Sequence, residues 1–249
     1  MEKNVSFPAQ GITEFVGRLA WAQLELFADD VPEIQVMAAG DERTVEELRI
    51  EENNGKLLVE QPQYGLSMNI NASKWMQVCI RIPKGWGGNV DAHTISGLLS
   101  ARGIRGKEVI LDTISGDVRA MAVHAEELSL RTISGDIKGG DLVGEKLSLR
   151  TVSGEVKLQS IAFSQVRSSA VSGTQWMEFK APFARVDATT VSGEMTLHVP
   201  MDRMDASLRS VSGRMRTAGI HLQENGPVVR LNSVSAGLEL ISTLKPEKA

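Results

Sequence analysis

The sequence predicts an all-β chain: a single-stranded parallel β-solenoid (β-helix) of about eight coils of 19–20 residues, preceded by an N-terminal β cap. Three observations carry this expectation. A tetrapeptide recurs at a fixed period, the residues around each copy alternate apolar and polar, and the composition is poor in aromatics (4%) yet holds 23 glycines.

The repeat reads Thr94-Ile95-Ser96-Gly97, Thr113-Ile114-Ser115-Gly116, Thr132-Ile133-Ser134-Gly135 and Thr151-Val152-Ser153-Gly154. It continues as Ala170-Val171-Ser172-Gly173, Thr190-Val191-Ser192-Gly193 and Ser210-Val211-Ser212-Gly213, with a degenerate eighth copy over Ser233-Val234-Ser235-Ala236-Gly237. The serines step by 19, 19, 19, 19, 20, 20 and 23 residues. One such unit cannot bury its apolar face alone, whereas stacked units bury a continuous one. Eight coils at ~4.8 Å would make a rod on the order of 38 Å long.

Each copy is flanked by period-two stretches, as in Leu128-Ser129-Leu130-Arg131 before one motif and Asp136-Ile137-Lys138 after it. Alternation buries one face of a strand and wets the other. The parity switches across the motif, because Leu128 and Leu130 are even and Ile137 is odd. A bulge or corner must absorb a residue there, and glycine permits it. The Ser and Thr hydroxyls can satisfy backbone groups left unpaired at such a corner. On this reading Ser96, Gly97, Ser115, Gly116, Ser134, Gly135, Ser153, Gly154, Ser172, Gly173, Ser192, Gly193, Ser212 and Gly213 are structural corners and not a reactive site. Ser-Gly between alternating stretches is also a hairpin signal; the constant spacing favours stacked coils, since hairpin loops tolerate variation. A step of 19 does not fit a hexapeptide period, which leaves a right-handed coil as the expectation. Pro182, Pro200 and Pro227 fall one in each of the three longer steps, where loops would carry the surplus.

Residues 1–90 differ. They hold 8 basic and 13 acidic side chains, against 19 and 18 in the remainder. Leu48 to Glu51 and Lys56 to Glu60, joined through Asn53-Asn54-Gly55, read as a hairpin, and Val78, Ile80 and Ile82 alternate into Pro83. The expected organisation is therefore an N-terminal strand and hairpin cap over 1–90, repeats over 91–243 and a C-terminal tail over 244–249. A cap would cover the unpaired edge of the stack.

Net charge of −4 argues against a nucleic-acid partner. A single cysteine, Cys79, excludes an internal disulfide framework, and no apolar stretch approaches the ~20 residues of a membrane-spanning helix. Without a signal peptide or transmembrane segment, the expected location is the cytoplasm.

The units Thr132 to Ile137 and Thr151 to Val156, with the lead-in Ile80-Arg81-Ile82-Pro83, resemble the bacterial "putative adhesin" β-strand-repeat family. The resemblance covers roughly residues 20–243. It implies a β-helical domain of unknown function, several members of which are encoded with envelope-stress or membrane-associated systems. It supplies no catalytic residues.

Asp117, Asp136, Glu155 and Glu194 follow the motif glycine in their coils, but Arg119, Lys138 and Lys157 lie two residues on and can offset them laterally. A solvated ladder is favoured over a metal or acid–base site. His93, His124, His198 and His221 recur at no common coil position, and Cys79 reads as an inert strand residue. One coil breaks its own pattern, with Gln175 where others hold an apolar residue. Phe163, Trp176, Phe179 and Phe183 gather there as a candidate partner patch. The expected function is a non-enzymatic scaffold or protein-interaction module without cofactor or metal, engaging a protein partner or itself. The alternatives are a carbohydrate-binding or polysaccharide-acting β-helix and a self-assembling structural element.

Overall fold

The computed structural model describes residues 1–62 and 75–244; part of the 1–90 segment and residues 245–249 of the expected tail lie outside the described residues. The first stretch runs β1 (Glu2–Pro8), β2 (Glu14–Leu19), β3 (Gln23–Asp29), β4 (Glu33–Gly40), α1 (Glu42–Glu46), β5 (Arg49–Asn53) and β6 (Lys56–Glu60). There follow β7 (Met76–Pro83), β8 (Asn89–Ser96), β9 (Leu99–Arg102), β10 (Arg105–Ser115), β11 (Val118–Met121), β12 (His124–Arg131) and β13 (Ile137–Arg150). The chain ends with β14 (Val156–Ser169), β15 (Gln175–Phe179), β16 (Arg185–Val199), β17 (Arg203–Arg209), β18 (Met215–Ala218), β19 (His221–Leu222) and β20 (Val228–Ser242).

Strand accounts for 69% of the chain and helix for 2%, so the protein is all-β. The single-stranded parallel solenoid is nevertheless the wrong architecture. The strands form one mixed sheet that wraps into a nearly closed, barrel-like body around a common apolar core. Antiparallel pairs join β1 to β4, β4 to β7 and β5 to β6. Chain order also departs from spatial order at both ends. Strand β2 lies between β6 and β8, and β3 between β7 and β9. At the other end β20 is threaded between β16 on one side and β17 and β18 on the other. The expectation of one right-handed coil wound in chain order falls with this. Alternation fixes which face of a strand is buried, but it specifies neither the neighbour nor the direction of pairing.

Through the middle of the chain, parallel ladders hold neighbouring strands in a register of 19 residues: Leu128 opposite Leu147, Leu147 opposite Val166. Each level of this ladder is called a rung below. Along the stack the rungs come in the order β8, β10, β12, β13, β14, β16, β20, β17. Most inward positions of these ladders are small or branched, with larger side chains such as Phe163, Met177 and Met195 among them, and successive rungs sit at the ~4.8 Å strand spacing. The β5–β6 hairpin turns at Asn54 (φ 52°) and Gly55 (φ 79°), the left-handed pair an Asn-Gly turn requires.

Candidate functional site: an apolar ridge along the stack

The motif residues take distinct places. The threonines point inward: Thr94, Thr113, Thr132, Thr151 and Thr190 are buried, and Thr132 Oγ1 donates to the Gly116 carbonyl at 3.0 Å. The glycines form a file. An added Cβ at Gly116, Gly135, Gly154, Gly173 or Gly193 would fall 1.9–2.1 Å from the carbonyl oxygen of the preceding motif glycine. The file also holds Gly97, whose φ of 131° is left-handed, and Gly213, whose Cβ would meet the Ala236 carbonyl at 1.8 Å. Backbone approaches backbone here, and no side chain fits. The serines stand half out; the Ser153 and Ser172 N–H groups donate to Ile133 and Val152 of the preceding rung at 2.9 Å each.

The second motif residue is the unexpected one. Ile95, Ile114, Ile133, Val152, Val171, Val191 and Val234 are 41–52% exposed, and Val211 is 86% exposed. Ser192 pairs with Ser235, and the Val211 N–H donates to Val234, so Val234 lies between Val191 and Val211. The eight side chains make one file roughly 34 Å long at ~4.8 Å per rung. Sequence reading treated this position as part of a corner. Its parity with the outward Arg131 and Arg150 is the signal that it faces solvent.

Beyond the glycines runs the acidic file. The Asp136 N–H donates to Asp117 Oδ1 at 3.1 Å and the Glu155 N–H to Asp136 Oδ1 at 2.9 Å, while Lys138 Nζ lies 2.8 Å from Asp136 Oδ2. These carboxylates therefore bind the next rung's backbone and a lateral cation. The Lys138 ammonium and the Glu155 N–H hold the Asp136 carboxyl below its ordinary 3.8. Burial pushes Asp91 up, but Arg18 and His93 together outweigh it and leave Asp91 low as well. Groups lowered in this way protonate at lower pH folded than unfolded, so their stabilisation is complete above the unfolded value and drains as pH falls below about 4 through the folded value. Urea melts at pH 6 and pH 3 should show a stability loss in acid that Asp136→Asn reduces; equal losses in both proteins would contradict this origin.

The aromatic patch does not form as expected. Phe163, Phe179 and Phe183 are core residues, 1%, 2% and 4% exposed, because they lie on the inward parity of their segments. Trp176 alone is half-buried at the surface, its ring 5.2 Å from that of His198 and 5.9 Å from Lys157 Nζ. Gln175 points inward and accepts a hydrogen bond from Ser168 Oγ at 2.5 Å. The polar break in one strand is thus answered by a second, Ser168, where neighbouring rungs carry Leu149 and Ala188.

His93 sits 2.6 Å from Asp91 Oδ1 and 3.6 Å from Asp112 Oδ2, with Arg18 on the far side of Asp91, an ion network that ties β2, β8 and β10. Burial raises the Cys79 thiol, which disfavours the reactive thiolate. Among the described residues no three His, Cys, Asp or Glu side chains gather as a metal site, and no helix is long and apolar enough to cross a membrane.

Residues 22–234 match the model of the Toastrack DUF4097 family. The chain belongs to that family. Solved structures share the fold of this Toastrack chain at low identity. A "putative adhesin" from Parabacteroides distasonis aligns with TM-score 0.61 and 14% identity over 96% of each chain. A "putative adhesin" from Bacteroides fragilis gives 0.58 and 11% over 97% of each. A "putative lipid binding protein" from Parabacteroides distasonis gives 0.58 and 15%, over 95% of the Toastrack chain and 96% of its own. None of these names is that of an enzyme. No curated protein matches the chain.

Proposed function

We propose that this Toastrack chain is a non-enzymatic association module whose working surface is the Ile/Val ridge. The observation that carries the reading is the ridge itself: eight branched apolar residues held half-exposed or more in a single file. Scattered surface hydrophobics are ordinary, but a contiguous strip on the order of several hundred Å² lies at the upper end of what monomers expose and is a common sign of an interface. The stack holds the file straight and rigid, so a partner meets a surface that needs little ordering. The adhesin names carried by proteins of the same fold suit such a role, and the envelope-stress systems that the family resemblance implies are the setting we favour for it. Protein partner and second copy both remain occupants of this reading.

A photo-crosslinking residue placed at Val152 in the native host should yield discrete adducts. The same residue at Gln159, an exposed position beyond the corner, should yield few. Ile133→Ser combined with Val171→Ser should suppress the adducts from Val152. Equal labelling from both positions would overturn the reading.

A further inference from the structure

The last rung of the stack, β17, pairs with β20 on one side and meets only the two residues of β19 on the other, at Arg203 and Met204. From Asp205 to Arg209 its outer edge carries no strand among the described residues. The apolar interior is open there as well. Ala206, Leu208 and Met215 pack against the core yet are only half-buried, whereas Val229, Leu231 and Leu238, their neighbours one rung inward, are 0–1% exposed. An open edge is ordinarily blunted by proline, lysine or an inward charge. At the far end of the molecule β1 carries Pro8. The 205–209 edge has no proline, no lysine and no inward charge.

This edge is complementary to itself. The Asp205 N–H donates inward to the Pro227 carbonyl at 2.9 Å, and the Met204 carbonyl accepts from the Gln223 N–H at 3.0 Å. Peptide groups alternate along a strand, so those of Ala206 and Leu208 are the ones turned to the open edge. Set a second copy against it in antiparallel sense about Ser207, and Ala206 of each chain faces Leu208 of the other. Both are hydrogen-bonded pairs, and about four main-chain bonds form. The same register places Asp205 opposite the second copy's Arg209, twice, on the outward face of the sheet. Among the described residues neither side chain has an ion-pair partner in its own chain, and four residues of strand, ~13 Å, keep them apart. A hollow lined by Asp205, Ala206, Leu222, Gln223 and Glu224 lies where the incoming guanidinium arrives, and its two carboxylates suit a cation. Moving the centre to Ala206 or Leu208 loses both charge pairs. The β19 contact at Arg203 and Met204 ends the ladder just where the second chain turns its corner at Ser210.

We infer that the protein forms a two-fold dimer through its last rung, β17 of one copy extending the sheet of the other by antiparallel pairing of residues 205–209. A two-fold contact uses the edge on both copies, so the assembly closes at two chains. The pairing is separate from the ridge, so it stands whether or not the ridge docks a protein.

The test is sedimentation velocity of the full chain between about 1 and 100 µM, a range that spans a modest association. A species of 27.0 kDa should give way to one of twice that mass and to nothing larger. Asp205→Arg and Arg209→Asp should each weaken the dimer at least tenfold. Their melting temperatures at about 1 µM should match the wild type, because both side chains lie on the outward face. Mixed in equal amounts, the two variants should dimerise with each other, since every arginine then meets an aspartate. The double variant carrying both changes should dimerise alone. Ile133→Ser with Val171→Ser should leave the dimer intact. A wild type still monomeric at about 100 µM, single variants that dimerise as the wild type does, a mixture that does not associate, filaments in place of dimers, or a dimer lost in the ridge variant would each overturn the inference.

Discussion

Gly154→Ala is expected to destabilise the protein by about 3 kcal/mol or more, through overpacking and backbone strain together. The φ of 137° is one that residues bearing a Cβ rarely adopt, and the added Cβ would lie 1.9 Å from the Gly135 carbonyl oxygen. Neither neighbour can retreat. Gly135 and Gly173 are themselves held in the file, and a Cβ at Gly173 would lie 2.1 Å from the Gly154 carbonyl oxygen. For a chain of this size the melting temperature should fall by roughly 6–12 °C. Gly87→Ala is the control: nothing lies within 4 Å of its Cβ position, and the change should stay within about 0.5 kcal/mol. A Gly154→Ala protein that melts with the wild type would mean that the glycines are not closely stacked.

Phe163→Ala should cost about 3–5 kcal/mol, the usual range for emptying a buried aromatic site. The ring is 1% exposed and fills the space that Gly144 leaves, its Cε1 lying 2.6 Å from where a Gly144 Cβ would be. The surrounding backbone is pinned by ladders on both sides, so the cavity can collapse only in part. Denaturant melts should show the loss as a lower midpoint. Trp176→Ala, at a half-buried site held by one tilted ring contact and one cation, should cost about 1 kcal/mol. A Phe163→Ala protein of unchanged stability would return Phe163 to the surface and to the role of a partner contact.

Much of the molecule was legible without coordinates. The 19-residue steps matched the register at which the parallel ladders pair, as in Leu128 opposite Leu147, and the motif glycines stand where an added Cβ would strike backbone. Asn54-Gly55 announced its hairpin. Residue type misled at the aromatics: Phe163, Phe179 and Phe183 looked like a patch because they cluster in sequence, and burial decided otherwise. Gln175 was visible as an exception, whereas its partner Ser168 was not, since a hydrogen bond between facing strands leaves no trace in local spacing. Arg230 lies beside Asp187, and Arg209 beside Asn232, only because β20 is threaded ahead of β17, an order that spacing along the chain does not give.

By itself, then, the sequence determined the strands, their inward faces and the period at which they pair, because those depend on alternation and on backbone room at a few glycines. Tertiary structure alone decided which strands became neighbours at the two ends, where antiparallel pairs enter, and which outward side chains line up into a ridge. The physical reason is that burial acts on each strand locally, whereas strand order follows from closing one mixed sheet around a shared core, a condition that no single segment encodes.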